Sequence, residues 1–287
     1  MTESSLDAAF QRAVSVIDAG DVSELERLLT VDPRLVRERL NTPGAWLRDK
    51  IGDALDGFFE RPYLLWFVAE DPVRNGKLPA NIADVARAII RAAQRNGVET
   101  LQEQLDYALK LVSWSWIARD CNVQIELIDV LIEAGAALDG NPENALVNGN
   151  FAASEHMVAR GAPMSLATAL CLARWDDVQR LGPTASAEDK QFALVLAALK
   201  GKADALAKVI DLGVDLNAPS ANLYSHATAL HHAVYSGSLD AVKVLVEAGA
   251  DLDLKDSIYE GTPLGWAEYG NQAEIAKYLR ERAALRR

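Results

Sequence analysis

The feature that most constrains this chain is a pattern that recurs near its C-terminus. Thr228-Ala229-Leu230-His231-His232-Ala233 is matched 34 positions later by Thr262-Pro263-Leu264-Gly265-Trp266-Ala267. Each copy is followed by a second apolar run, residues 239–250 in the first and 274–279 in the second. A unit this short cannot bury its own apolar face. It must stack on its neighbours, so one continuous core is expected rather than the two globular ones that 287 residues would allow.

The residue types carry a physical reading. Thr228 and Thr262 stand where a helix begins, and each hydroxyl is expected to cap a free backbone N–H. Pro263 suits the first helical position, where its missing donor costs nothing. Ala233 and Ala267 are small enough to let neighbouring helices approach. In the second run Ala241, Val244, Leu245 and Ala248 keep helical spacing and form an apolar stripe. Gly249 supplies the left-handed backbone that ends the helix. Thr-Pro-Leu-His-x-Ala at this period resembles the ankyrin-repeat family. The resemblance implies an all-α solenoid of helix-turn-helix repeats that binds a protein partner in a concave groove, without chemistry. It also implies a structural, hydrogen-bonding role for His231.

Weaker copies extend the reading upstream. Gly213-Val214-Asp215-Leu216-Asn217-Ala218 closes a unit whose helices are expected at 192–200 and 203–212. Residues 127–136 repeat the second-helix ending, 157–162 shorten it, and 170–181 form a truncated unit. Residues 13–19 and 25–29 match two helices around Gly20-Asp21. Pro62-Tyr63-Leu64-Leu65-Trp66-Phe67-Val68-Ala69 is a diverged first helix with Trp66 at the histidine position, followed by a second helix at 82–93. The expectation is a single array of about eight repeats. It has an N-terminal repeat or cap at 1–40, diverged repeats with insertions at 41–122, central repeats at 123–260 and a capping repeat at 261–287. The insertions lie in the N-terminal half. They are an amphipathic helix within 40–61, a loop at 71–80 and a long first helix through 101–117. Such segments either form a binding face or cover an exposed N-terminal edge.

Charge narrows the partner. The chain has 29 Lys and Arg against 41 Asp and Glu, a net charge of −12. It is repelled by phosphate backbones and anionic membranes, so a basic protein is the expected partner and nucleic acid is not. Residues 101–150 carry only Lys110 and Arg119 against eight acids, among them Glu126, Asp129 and Glu133 on one helix face. The first residues lack the basic and apolar runs of a secretory signal, and stretches such as 193–199 are too short to span a bilayer. Cys121 and Cys171 are isolated, which suits a reducing compartment. These observations predict a soluble, cytoplasmic, monomeric protein. Its irregular repeats resemble those of bacterial ankyrin proteins.

Aligning the units on their threonines places His226, His232, Tyr235 and Ser236 on the inner face of one repeat. Glu260, Trp266 and Tyr269 lie on the next, with Tyr224 and Tyr259 in the fingers between helices. Aromatic and polar residues of this kind are enriched at binding hot spots. The nearby Asp251, Asp253, Asp256 and Glu260 suit a cationic ligand, through charge attraction and cation–π contact. The bland alternative is that Trp266 packs on His232 or Tyr235 and simply fills the inner layer.

A second set comprises Trp66, Glu70, Trp114 and Trp116. Trp114 and Trp116 diverge by about 200° on a helix, so at least one belongs to the core. Should these residues meet beneath the insertions, they line an apolar pocket, and the rival function is a small-molecule binder or an atypical enzyme. Glu70 and Asp71 are adjacent acids that suit acid–base work, or simply sit in water. The four histidines, His156, His226, His231 and His232, form no zinc motif, and no nucleotide loop or nucleophile elbow occurs. No catalytic residue, metal or cofactor is expected.

Overall fold

The computed structural model describes residues 5–69 and 76–285. Among the described residues regular structure is helical throughout, apart from one isolated bridge between Ser220 and Leu223. The chain divides into two compact units, Met1–Pro163 and Met164–Arg287.

The N-terminal unit is built in two layers. One contains Leu6–Ala19, the 3-10 turn Leu64–Val68, Leu101–Trp114 and Asn141–Val147. The other contains Val22–Val31, Ile82–Arg95, Gln124–Glu133 and Phe151–Ala159. Within each layer every element packs on the next in chain order. Phe10, Ile17, Leu29, Phe67, Ile89, Leu109 and Leu131 are buried between them.

Three expectations are corrected here. The long helix expected through residue 117 stops at Trp114 and a short helix, Trp116–Asp120, follows. Ser115 is the cause, because its Oγ accepts from the Ala118 N–H at 3.0 Å and caps a new helix start. Gln124 Nε2 holds the break open by donating to the Val112 carbonyl at 2.9 Å and the Ser115 carbonyl at 3.2 Å. Secondly, the diverged motif at 62–69 winds as a 3-10 turn, with Trp66 N–H bonding to the Tyr63 carbonyl and Ala69 N–H to the Trp66 carbonyl. Thirdly, the segment 40–61 forms Ala45–Ile51 and then the 3-10 turn Gly52–Asp56, not one amphipathic helix. Trp46 Nε1 and Gly44 N–H both donate to the Asp7 carboxylate, at 2.8 and 2.7 Å, which ties this segment to the first helix. Leu47 and Phe59 are fully buried, Trp46 and Phe59 meet Phe67 and Phe58 meets Trp114, so the insertion packs across the first layer of its unit. Of the expected loop 71–80, residues 71–75 lie outside the described residues.

The C-terminal unit repeats the two-layer plan. Its first helices are Leu166–Cys171, Ala187–Leu199, Ala229–Tyr235 and Pro263–Tyr269. Its second helices are Trp175–Leu181, Ala203–Ile210, Leu239–Glu247 and Ala273–Leu285. The helix expected at 192–200 begins earlier, at Ala187, because Ser186 and Asp189 form a capping box. Ser186 Oγ accepts from the Asp189 N–H at 3.0 Å, and the Asp189 carboxylate accepts in return from the Ser186 N–H at 3.3 Å. Each unit thus holds four helix pairs, matching the number of repeats expected. Gly249 ends its helix with φ at 101°, and the next N–H, of Ala250, bonds back to the Leu245 carbonyl at 3.0 Å. Gly135 and Gly161 do the same in the N-terminal unit, with φ at 105° and 102°.

Candidate functional site

The finger before Pro263–Tyr269 folds around one carboxylate. Asp256 accepts from the N–H groups of Ile258, Tyr259 and Gly261 at 2.9, 2.7 and 2.9 Å. It also accepts from Trp266 Nε1 at 2.9 Å. Burial raises the Asp256 pKa, but these four donors outweigh it and bring the carboxyl down to about 2. The sequence reading offered Asp256 to a cationic partner. Instead it is buried and committed, its carboxylate closing an Asx-turn on the N–H two residues on.

The same bond aims Trp266. A Cβ at Gly261 would stand 2.9 Å from Trp266 Cδ1, so only glycine admits the ring there. Trp266 stacks on His226 at 6.1 Å between centroids and meets His231 and His232 edge-on at 5.2 and 6.4 Å. Tyr224 completes the cluster, 5.8 Å from His232 and 6.4 Å from His226.

His231 is held from both ends. Its Nε2 faces the Gly261 carbonyl at 3.0 Å, a group that only accepts, which assigns the proton to Nε2. Nδ1 therefore accepts, from the Thr228 hydroxyl at 2.8 Å and the Thr228 N–H at 3.3 Å. Thr228 and His231 thus form a reciprocal capping box at the start of Ala229–Tyr235, and Thr262 Oγ1 accepts from the Gly265 N–H at 3.2 Å. Burial lowers the His231 pKa, and it lowers that of His232 to about 4. His232, expected to reach a ligand, is only 3% exposed, and its Nε2 has no hydrogen-bond partner. It lies beneath the cluster.

The remaining members reach solvent. Tyr224, Tyr235, Tyr259 and Tyr269 are 51, 69, 74 and 93% exposed, while His226 and Trp266 are half-buried. Tyr224 and Glu260 adopt left-handed backbone, with φ at 45° and 52°. That conformation is uncommon outside glycine and is often kept at functional positions. Glu260 and Asp253 are exposed. The acidic stretch 101–150 looks different in three dimensions. Glu126 pairs with Arg87 at 3.2 Å, Glu103 with Arg39, and Asp129 with both His156 and Arg160.

In the second set Trp66 and Trp114 both lie against the inserted segment, through Phe59 and Phe58. Trp66 is buried, donates to the Gln104 carbonyl at 3.2 Å, and sits 4.4 Å from Tyr107 between ring centroids. Arg39 lies over both Tyr63 and Trp66, at 4.4 and 5.1 Å. Trp114 is half-buried and meets Phe58 edge-on at 5.6 Å. Trp116 is 54% exposed. Glu70 and Asp71 lie outside the described residues. No group of three or more His, Cys, Asp or Glu that could hold a metal occurs among the described residues. None of the helices is long and apolar enough to cross a membrane, among the described residues.

No match to the chain is found among curated proteins. A family model described as ankyrin repeats in three copies matches residues 89–256 and 194–285. Together these matches span residues 89–285, more than half of the 287-residue chain. With its helix pairs, glycine-closed second helices and buried motif histidine, the chain belongs to the ankyrin-repeat family.

Proposed function

We propose that this protein is a non-enzymatic binding module, a scaffold or inhibitor, that grips a partner protein with the finger and first-helix face of its C-terminal unit. Ankyrin repeats are in general protein–protein interaction modules. The observation that carries the reading is the Trp266 ring. It is fixed by the buried Asp256 and stacks on His226, which Tyr224 meets in turn, and the same repeats carry the exposed Tyr235, Tyr259, Glu260 and Tyr269. An anchored aromatic ring loses little entropy on binding, which is what a hot spot requires. His232 supports the cluster from below. Glu260 and Asp253 favour a basic segment on the partner, through attraction and cation–π contact with the tyrosines. On this reading the units form a single array, acting as a monomer in the cytoplasm.

The test is affinity capture from cells of the source organism, with quantitative mass spectrometry. Trp266→Ala and Glu260→Lys are each run beside the unaltered chain, and circular dichroism checks that both fold. Recovery of the partner should fall at least about tenfold with Trp266→Ala, the size of a hot-spot loss. A captured partner that both variants retain in full would refute the assignment.

A further inference from the structure

The second helices of the C-terminal unit differ in length. Trp175–Leu181 has 7 residues, against 9 in Leu239–Glu247 and 13 in Ala273–Leu285. It gives way to the 3-10 turn Gly182–Thr184, where Leu212 seats so closely that a Cβ on Gly182 would stand 2.9 Å from Leu212 Cδ2. Ala203–Ile210 packs along Leu239–Glu247 but not to the same extent along the shortened Trp175–Leu181. What remains between them is a cleft of about 410 Å³. Trp175, Val178, Pro183 and Leu212 give it an apolar lining, and Lys208 and Asp211 add one charge of each sign.

Its volume lies within the roughly 300–1,000 Å³ of ligand-binding pockets and suffices for one bulky side chain. The neighbouring charges are already engaged, since Asp177 takes Arg180 at 2.6 Å and Arg174 at 3.8 Å. Lys208 and Asp211 are exposed. They lie three positions apart, Lys208 in the last turn of Ala203–Ile210 and Asp211 as its C-cap, with Cβ atoms within about 6 Å, and neither is engaged in an ion pair among the described residues. Trp175 is 37% exposed at the first position of its helix and presents its indole to the cleft.

We propose that this cleft receives one bulky apolar side chain from a segment of a partner protein, flanked by an acidic residue on one side and a basic residue on the other. The apolar lining takes the side chain, Lys208 takes the carboxylate and Asp211 the cation. A segment with two like charges meets one of these groups as a repulsion, so the mixed rim selects as well as attracts. The site is separate from the Trp266 cluster and does not depend on it.

Three fluorescein-labelled peptides test this by anisotropy against the whole chain at about 150 mM salt, where long-range attraction is screened. Each carries one Phe, flanked within two residues by Glu and Lys, by Glu and Glu, or by Lys and Lys. The mixed peptide should bind at least about threefold more tightly than either other, the yield of one modest charge pair. Lys208→Glu should move the preference to the Lys–Lys peptide, and Asp211→Lys to the Glu–Glu peptide. Both positions are exposed, and circular dichroism verifies the folds. Trp175→Ala should weaken all three, whereas Trp266→Ala should leave all three unchanged. Absence of saturable binding below about 1 mM, a weaker limit than a specific site of this size permits, would overturn the proposal. So would an order of preference that neither charge substitution alters.

Discussion

Replacing Asp256 by Asn keeps the shape of the side chain and removes half of its accepting capacity. The remaining Oδ1 can still accept from the Ile258 and Tyr259 N–H groups. The new amide NH₂ would face the Gly261 N–H and Trp266 Nε1, both of which are donors. Two half-buried donors lose their acceptor, and each such loss costs about 1–3 kcal/mol when buried, so the substitution should cost about 2–4 kcal/mol at pH 7 with solvent taking part of the loss. The pKa gives a second route to the size. A carboxyl brought from 3.8 to about 2 is linked to at most about 2.5 kcal/mol of stability, and to less once solvent at the finger is discounted. The two routes meet near the lower end of the range. The sign follows from the direction of the shift. A depressed carboxyl contributes in full above pH 3.8, and the contribution is lost as pH falls from 3.8 toward about 2. The gap between the unaltered chain and Asp256→Asn should therefore be widest at neutral pH and shrink below pH 3.8. Urea unfolding gives the overall loss. Hydrogen exchange at residues 258, 259 and 261 localises it, which matters because repeat arrays need not unfold in one step. A loss under about 0.5 kcal/mol at pH 7, the scatter of neutral surface changes, would refute the reasoning. A gap that stays constant from pH 7 to pH 3 would refute it equally.

Other expectations follow from single contacts. Because burial depresses the His232 pKa from 6.5 to about 4, the stability it carries is whole above pH 6.5 and falls as pH drops through that window. Between pH 6.5 and 5 that amounts to about 2 kcal/mol, and His232→Phe should flatten the urea midpoint against pH over the same range. Gly249→Ala should cost about 1–2 kcal/mol in a thermal melt, since φ is 101° while no atom lies within 4 Å of a Cβ there, leaving backbone strain as the whole effect. Ser115→Ala should cost about 1 kcal/mol as a lost N-cap. It should not fuse the two helices, because Gln124 still occupies the freed carbonyls, and unchanged far-ultraviolet helicity would show this.

The difference between what the sequence revealed and what it concealed has a physical origin. The repeat was legible because each unit solves the same local problem with the same residues. A helix start, a small residue at the helix contact and a glycine with φ near 100° all lie within about 20 positions, and their meaning does not depend on the rest of the chain. Failures came where a local signal was weighed by its apolar pattern alone. Residues 101–117 keep a helical apolar rhythm, yet one hydroxyl at Ser115 outcompetes it; residues 187–191 lack that rhythm, yet a capping box makes them helical. The site was harder still, because burial there is decided by residues of the next repeat. His232 and Trp266 look alike as groove candidates from their spacing. The structure separates them: His232 is covered by Tyr224, His226 and Trp266, while Trp266 is turned by a carboxylate ten residues before it. Asp256 looked like free charge for the same reason, since sequence counts an acid without seeing that four donors already surround it. Net charge of −12 therefore overstates the acid available to a partner. Arg87, Arg39 and Arg160 answer much of the acidic middle, whereas Glu260 and Asp253 are exposed in the finger that carries Asp256. Recognition in such an array rests less on total charge than on which few side chains the stacking leaves unpaired. That is why single substitutions at Glu260 and Trp266 weigh more in the proposed interaction than the acidity of the chain as a whole.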